Sequence, residues 1–320
     1  MESSLDIAIS NLTSITVLIF CLGLLAGAIR SDVKIPEAIY QFIAIYLLFG
    51  IGLKGGVSLR ESNLIDTLLP ILATMALGIT IPILAFLVLG RITKISELDR
   101  GSLAAHYGST SLVTFTAALV YLDNNQISYE GFATTLLTVM EVPGIVVGIF
   151  LAKRHLAPKT NWSESLREIF LGKTLMLLVG GLFIGYVAGT EGYVRVEPFF
   201  VTMLPGVLAL FLLHLGYLAG ERWKSLLEVG PGLIVFGILF PITMGIAGTV
   251  IGSLIGLSAG GSVILGILSA SASYIAAPAA VRVALPEANI SLPVTTSLVI
   301  TFPTNLLISI PLLAQIAQQL

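Results

Sequence analysis

Residues Gly101 to Tyr121, GSLAAHYGSTSLVTFTAALVY, decide how the chain is read. The run is long enough to cross a bilayer as a helix, which takes about 20 apolar residues. Its centre nevertheless carries Gly108, Ser109, Thr110, Ser111, Thr114 and Thr116, where a lipid-facing helix would hold Leu, Ile and Val. A second stretch, Gly261 to Leu285, GSVILGILSASASYIAAPAAVRVAL, repeats the design, with Ser269, Ser271 and Ser273 ahead of Pro278. Two apolar segments interrupted by small hydroxyl residues, one in each half, point to the binding site of a secondary transporter.

Composition sets the frame. The 320 residues are 56% hydrophobic and 11% charged, against roughly 25% charged in a typical soluble domain, and the mean hydropathy is +1.00. This is the make-up of an all-α polytopic membrane protein in contact with lipid. No basic surface is left to meet phosphates, so no nucleic-acid partner is expected. The single cysteine, Cys21, sits in an apolar run and reads as a small buried hydrophobe. It excludes a disulfide or a cysteine-based metal cluster. His106, His155 and His214 are too scattered to suggest a metal site. No HExxH, GxSxG or paired intramembrane Asp occurs, so an enzyme is not expected. The start, MESSLDIAIS, lacks the cationic stretch of a cleaved signal peptide and is expected to stay with the fold.

Apolar runs mark about ten spans, near 10–29, 37–53, 67–90, 101–121, 131–151, 172–189, 197–219, 230–256, 261–284 and 290–317. The one sizeable polar segment divides them into two groups of five. The expected organisation is a first five-helix repeat over 1–155, a linker over 156–171 with an interfacial helix near Ser163 to Ile169, and a second repeat over 172–320. Of the 16 Lys and Arg residues, all but Lys54, Arg60 and Arg195 fall in alternate connections. The positive-inside bias therefore places the linker in the cytoplasm and both termini outside. An odd number of spans before the linker gives the halves opposite orientations, the topology of inverted repeats. Internal likeness agrees. LLFGIGLKGG (47–56) resembles LLHLGYLAG (212–220), and the fifth and tenth spans each place a proline shortly after a Thr pair, Thr134 and Thr295 onward. The fourth and ninth spans both open Gly-Ser and break at serines. Gly52, Gly55, Gly56, Gly216 and Gly220 read as packing or flexing points of a scaffold.

If spans four and nine unwind near Gly108 and Ser271, each leaves N–H groups at a half-helix N-terminus and C=O groups at a C-terminus. The N–H ends suit a small anion. The C=O ends with Ser and Thr oxygens suit Na⁺. The anion is expected among Gly108, Ser109, Thr110, Ser111, Thr114, Ser271, Ala272, Ser273 and Tyr274. Tyr274 either walls the pocket or sits as a core aromatic. Glu141, mid-span in LLTVMEVPGIVV, is an ionisable group where such groups are functional by default, and Pro143 after it frees a backbone carbonyl. Glu141, Ser269, Thr301, Thr304 and Asn305 are the expected Na⁺ ligands. Arg282 and Glu287 read as a cytoplasmic flank.

IPEAIYQFIAIYLLFGIGLKGG (35–56), HYGSTSLVTFTAAL (106–119), ISYEGF (127–132), SASYIAAPAAVRVALPEAN (271–289) and TFPTN (301–305) resemble the sodium-dependent bicarbonate transporter family of bacteria. The resemblance runs along nearly the whole chain. It implies a core of spans three to five and eight to ten moving against a gate of spans one, two, six and seven. It further implies Na⁺-coupled uptake of bicarbonate into a bacterium across its inner membrane, an elevator-like motion, a homotrimer, and in cyanobacterial members a PII-like regulator on the cytoplasmic face. The likeness departs at the second break, where Tyr274 stands in place of an acidic residue. A Na⁺/H⁺ antiporter of similar architecture and a non-transporting membrane sensor are the alternatives.

Overall fold

The computed structural model describes residues 13–154, 167, 170–225 and 229–320. The expected interfacial helix, and with it the boundary at the linker, falls largely outside these residues. Among the described residues all regular structure is helical and no strand occurs. In chain order the helices are α1 (Ile15–Ala28), α2 (Glu37–Glu61), α3 (Leu64–Ile92), α4 (Glu97–Gly108), α5 (Leu112–Asn124), α6 (Ala133–Lys153) and α7 (Lys173–Tyr193). There follow α8 (Leu204–Glu221), α9 (Pro231–Leu254), α10 (Ala259–Ala270), α11 (Ala276–Ala284) and α12 (Ser291–Ala317). Seven of the described helices are long and apolar enough to cross a membrane, while α1 and α10 are shorter apolar helices.

The molecule is apolar outside as well as inside. Leu18 and Leu22 of α1, Leu68 and Leu72 of α3, and Phe183 and Val187 of α7 are all exposed, as suits a surface solvated by lipid. Cys21 belongs to this outer face, which corrects the expectation of burial. In a chain bathed in lipid both helix faces are apolar, so composition does not distinguish them. The interior holds the polar groups instead, including His106, Ser109, Ser111, Glu141, Ser271, Ser273 and Asn305.

Glycines set the closest helix contacts. Gly23 and Gly27 of α1 lie against the backbone of Leu213 and Tyr217 on α8, and Gly216 and Gly220 of α8 lie against Phe20 and Leu24. In the same way Gly52 and Gly56 of α2 meet Leu178 and Leu182 of α7, and Gly181 and Gly185 of α7 meet Phe49 and Leu53. A methyl group at any of these positions would fall within 2.8 Å of a backbone oxygen. These are small-xxx-small seams on both partners, the arrangement that lets membrane helices approach closely without a hydrophobic driving force. In each pair the contacts advance in the same direction along both helices, so α1 and α8 run parallel, as do α2 and α7. Each seam joins one helix from each half of the chain.

The two interrupted spans are built alike. α4 and α10 are each 12 residues long. Ser96 caps α4 by accepting from Asp99 N at 3.0 Å, and Ser258 caps α10 by accepting from Gly261 N at 3.1 Å. After each break a second serine caps the next helix. Ser111 accepts from Thr114 N at 3.2 Å, and Ser273 accepts from Ala276 N and Ala277 N, both at 3.2 Å. The spacing from Ser96 to Ser111 equals that from Ser258 to Ser273. Serine favours such caps because its hydroxyl satisfies first-turn N–H groups that have no intrahelical partner. Pro278 falls in the first turn of α11, where its missing N–H costs nothing.

Candidate functional site

The two breaks cross. The N–H of Ser273, at the start of the second break's exit, donates to the carbonyl of His106 in the last turn of α4 at 2.8 Å. The N–H of Ser111 donates to Ser271 Oγ at 3.1 Å, and Ser271 Oγ in turn donates to Leu268 O at 2.9 Å. Each half-helix end is thus tied to the other half's break. Non-helical backbone at this depth persists because protein surrounds it. Ser109, Ser111 and Ser271 are extended and almost fully buried. α5 and α11 present their N-termini at the crossing, while α4 and α10 present their C-termini.

Carboxylates fasten the outer ends of the broken helices. Asp99 Oδ1 accepts from Asn289 N at 2.7 Å, and Glu130 accepts from Ser258 N at 2.6 Å and from Ser258 Oγ at 3.1 Å. Both sit at the first turn of a helix, where negative charge is favoured. Glu130 lies in the ISYEGF stretch. Its role was not legible in the sequence, where it reads as one more loop acid.

Two hollows meet the crossing. A cavity of about 760 Å³ opens between α2, α7 and the end of α8 on one side and α6, α11 and the start of α12 on the other. Its lining includes Glu37, Lys173, Arg222 and Arg282, and Glu141 and Tyr274 also belong to it. The first four lie at or beside four alternate connections of the chain, all assigned by charge to one side. Arg282, expected as a plain flank, is therefore a wall of the vestibule. The second hollow, of about 10 Å³, is the size that holds one water. It is lined by Thr110, Ser111, Glu141, Ser273 and Tyr274 among others. Across the molecule, Lys54, Asp123, Thr134 and Phe200 line a smaller outer hollow of about 60 Å³.

The expected anion residues come together. Gly108 closes α4 against Gly144 of α6, backbone to backbone: a Cβ on Gly144 would lie 1.8 Å from Gly108 O. Ser109, Thr110, Ser111, Ser271, Ala272 and Ser273 form the two breaks, and Thr114 lies in the first turn of α5. Tyr274 walls the pocket, accepting from Ser111 Oγ at 3.3 Å, so the tyrosine keeps its own proton to donate.

The expected Na⁺ residues divide into two places. Glu141, 4% exposed, lines both hollows and stands with Ser111, Ser273 and Tyr274. Thr301, Thr304 and Asn305 lie in the tenth span and line neither hollow. There the helix widens into π turns at Thr296–Thr301 and Asn305–Ser309 around Pro303, a distortion frequent at functional sites. Thr301 Oγ1 donates to Gly237 O at 2.8 Å and accepts from Tyr107 OH at 2.6 Å. Thr304 Oγ1 donates to Ile300 O, and Asn305 Nδ2 donates to Ala270 O at 2.8 Å. Ser269 Oγ bonds back to Leu265 O. Ser109 Oγ, Thr110 Oγ1 and Asn305 Oδ1 are buried with no hydrogen-bond partner. Unsatisfied buried oxygens are costly in a protein, and a hard cation takes oxygen ligands, so each of these oxygens is of the kind that suits Na⁺.

A sequence-family model described as the Na⁺-dependent bicarbonate transporter superfamily matches residues 16–318. The chain belongs to this superfamily. No curated protein sequence matches it. The match spans both broken helices, both glycine seams and the vestibule, and so nearly all of the described residues. The polytopic, apolar architecture and a transport role follow from that membership, with Na⁺ as the coupling ion and bicarbonate as the anion implied for the superfamily.

Proposed function

We propose that the chain is a symporter that takes bicarbonate into a bacterial cell together with Na⁺. The anion binds at the crossing of the two breaks, between Gly108–Thr114 and Ser271–Tyr274, where the one-water hollow widens to admit it. The observation that carries the reading is this crossing, where two half-helix N-termini and the Tyr274 hydroxyl converge on a hollow at the floor of a one-sided vestibule. N–H groups and helix dipoles recognise a small anion without a lysine or arginine. Na⁺ is bound in two places, by Glu141 beside the hollow and by Ser269, Thr301, Thr304 and Asn305 at the widened tenth span, with Ser109 and Thr110 supplying further oxygens. Na⁺ and the anion neutralise one another, which lowers the cost of carrying charge through the membrane.

The chain is read as ten spans in two inverted repeats, 1–155 and 172–320, with both termini outside the cytoplasm and the linker inside. Parallel pairing of α1 with α8 and of α2 with α7 supports this, because parallel helices need an odd number of crossings between them, and each interrupted span then counts as one. The matched caps at Ser96 and Ser258, and at Ser111 and Ser273, support it too. α3–α6 and α9–α12 form a core that moves, elevator-like, along the gate of α1, α2, α7 and α8. The vestibule lies along the border of the two bodies on the basic, cytoplasmic side, as expected of an inward-facing state. A homotrimer, and a PII-like regulator docking on that face, complete the reading by resemblance.

The test is uptake of labelled bicarbonate into proteoliposomes. We expect it to require Na⁺, to fall with Ser111→Ala, and to lose its Na⁺ dependence with Glu141→Gln. Uptake equal with K⁺ and with Na⁺, or equal to that of empty vesicles, refutes the proposal.

A further inference from the structure

The vestibule and the small hollow share a wall made of five residues, Glu141, Thr174, Tyr274, Ile275 and Ala276. Three of these are held within helices: Glu141 in α6, Thr174 in α7 and Ala276 at the start of α11, with Ile275 just before it. Tyr274 is different. It lies in the non-helical stretch before α11, it is the one long aromatic in the wall, and its ring meets Phe302 edge-on at 5.8 Å. Its hydroxyl is held by a hydrogen bond from Ser111 Oγ at 3.3 Å. Ser111 itself cannot move away, because its hydroxyl oxygen caps α5 through Thr114 N and its own N–H is bonded to Ser271.

We propose that Tyr274 is the inner gate of the site, its ring separating the hollow from the vestibule and the Ser111 hydroxyl acting as the latch. This rests on reading the hollow as the transport site. The latch and the site share one proton. While the gate is shut, Ser111 O–H points to Tyr274. When an anion entering the hollow as it widens accepts the hydrogen bond from Ser111, the tyrosine loses its hold, so occupancy of the site and opening toward the vestibule are linked. Release to the cytoplasm then needs a side-chain swing, in addition to any motion of the core against the gate domain.

The test is thiol accessibility. Cys21 is the one cysteine and lies on the outer face, so Cys21→Ser gives a cysteine-free background. Thr110→Cys then reports on the hollow and Ser291→Cys on the vestibule. Labelling with a small, charged thiosulfonate from the cytoplasmic side of inverted vesicles is expected to be slow at 110 and fast at 291. Tyr274→Phe keeps the ring and removes the latch. It should speed labelling at 110 about threefold to tenfold, the factor that a hydrogen bond of ordinary strength contributes to an open–closed equilibrium. Tyr274→Leu removes the ring and should speed it further, with no change at 291. Equal rates at 110 in the parent, Tyr274→Phe and Tyr274→Leu overturn the gate, as does labelling at 110 as fast as at 291 in the parent. If Tyr274→Leu does not fold, the rate in Tyr274→Phe decides alone. No bicarbonate or Na⁺ is needed for labelling, so a gate would register even if the cargo were another solute. Protection of Leu112→Cys, another lining position of the hollow, by bicarbonate with Na⁺ separately reports whether the hollow is the transport site.

Discussion

Ser111 N–H donates to Ser271 Oγ across the centre of the molecule at 3.1 Å. One serine side chain therefore serves the cap of the other half's broken helix, while also satisfying Leu268 O in its own. Ser271→Ala removes both bonds and leaves a buried N–H without a partner. An unsatisfied buried donor costs about 1–3 kcal/mol. We expect a lowered melting temperature in detergent and strongly reduced bicarbonate uptake. Ser271→Thr, which keeps the hydroxyl, should recover part of both.

The contact between Gly108 and Gly144 leaves no room for a side chain. With Gly108 O 1.8 Å from the added methyl, Gly144→Ala must push α6 away from the end of α4. Overpacking costs about 1–3 kcal/mol where neighbours can give, and here the neighbour is backbone. The expected outcome is poor recovery on size-exclusion chromatography and no uptake. Gly180→Ala, with nothing within 4 Å of the added methyl, should behave as the parent does.

Glu130 ties the loop after α5 to the N-terminus of α10. Glu130→Gln keeps the shape and removes the charge. Hydrogen bonds to charged groups contribute about 1.5–3 kcal/mol, and part of that remains with a neutral amide. We expect a moderate loss of thermal stability, and faster amide hydrogen exchange in 258–262 than in the parent, with exchange in 97–101 unchanged.

Asn305 offers a way to separate the two ions. Its Nδ2 is spent on Ala270 O, and its Oδ1 is free. If that oxygen holds Na⁺, Asn305→Asp should shift the Na⁺ concentration for half-maximal uptake, while the bicarbonate concentration for half-maximal uptake, measured at saturating Na⁺, moves much less. An equal shift in both would mean that Asn305 serves the architecture of the crossing and not the cation.

Lys173, Arg222 and Arg282 line the vestibule beside a single outer acid, Glu37. A cleft lined by one sign of charge concentrates counter-ions. Neutralising Arg222 and Arg282 together should weaken the approach of bicarbonate from the cytoplasmic side by about tenfold at low ionic strength. Counterflow measured in inverted vesicles reads this. The difference should shrink toward physiological salt, where the Debye length is ~8 Å.

The breaks were readable from the chain because serine has a local reason to interrupt a helix. Ser111 and Ser273 fall where a cap is needed, and Ser109 and Ser271 are extended beside them. Glycine was only half readable. Gly52, Gly56, Gly216 and Gly220 stood out as packing points, but not that their partners are Gly181, Gly185, Gly23 and Gly27, because a small residue records that something approaches and not what. Cys21 was misplaced for a related reason, lipid and protein interior being alike in polarity. Glu141 was conspicuous as a charge in an apolar span, yet that it lines both hollows while Thr304 and Asn305 line neither turns on which face of the crossing each span occupies. That depends on long-range packing, as do the three basic groups of the vestibule, which lie beside three separate connections.

The two glycine seams carry a consequence for how the protein is made. α1 and α2 leave the ribosome well before α8 and α7 exist, and each must wait in the bilayer with a bare groove facing lipid. The halves are woven through one another and do not sit side by side, so assembly has to pause until synthesis is well past its midpoint. A fragment ending in the linker would be an unfinished object whose two loose helices can be completed only by the other fragment, supplied in the same membrane.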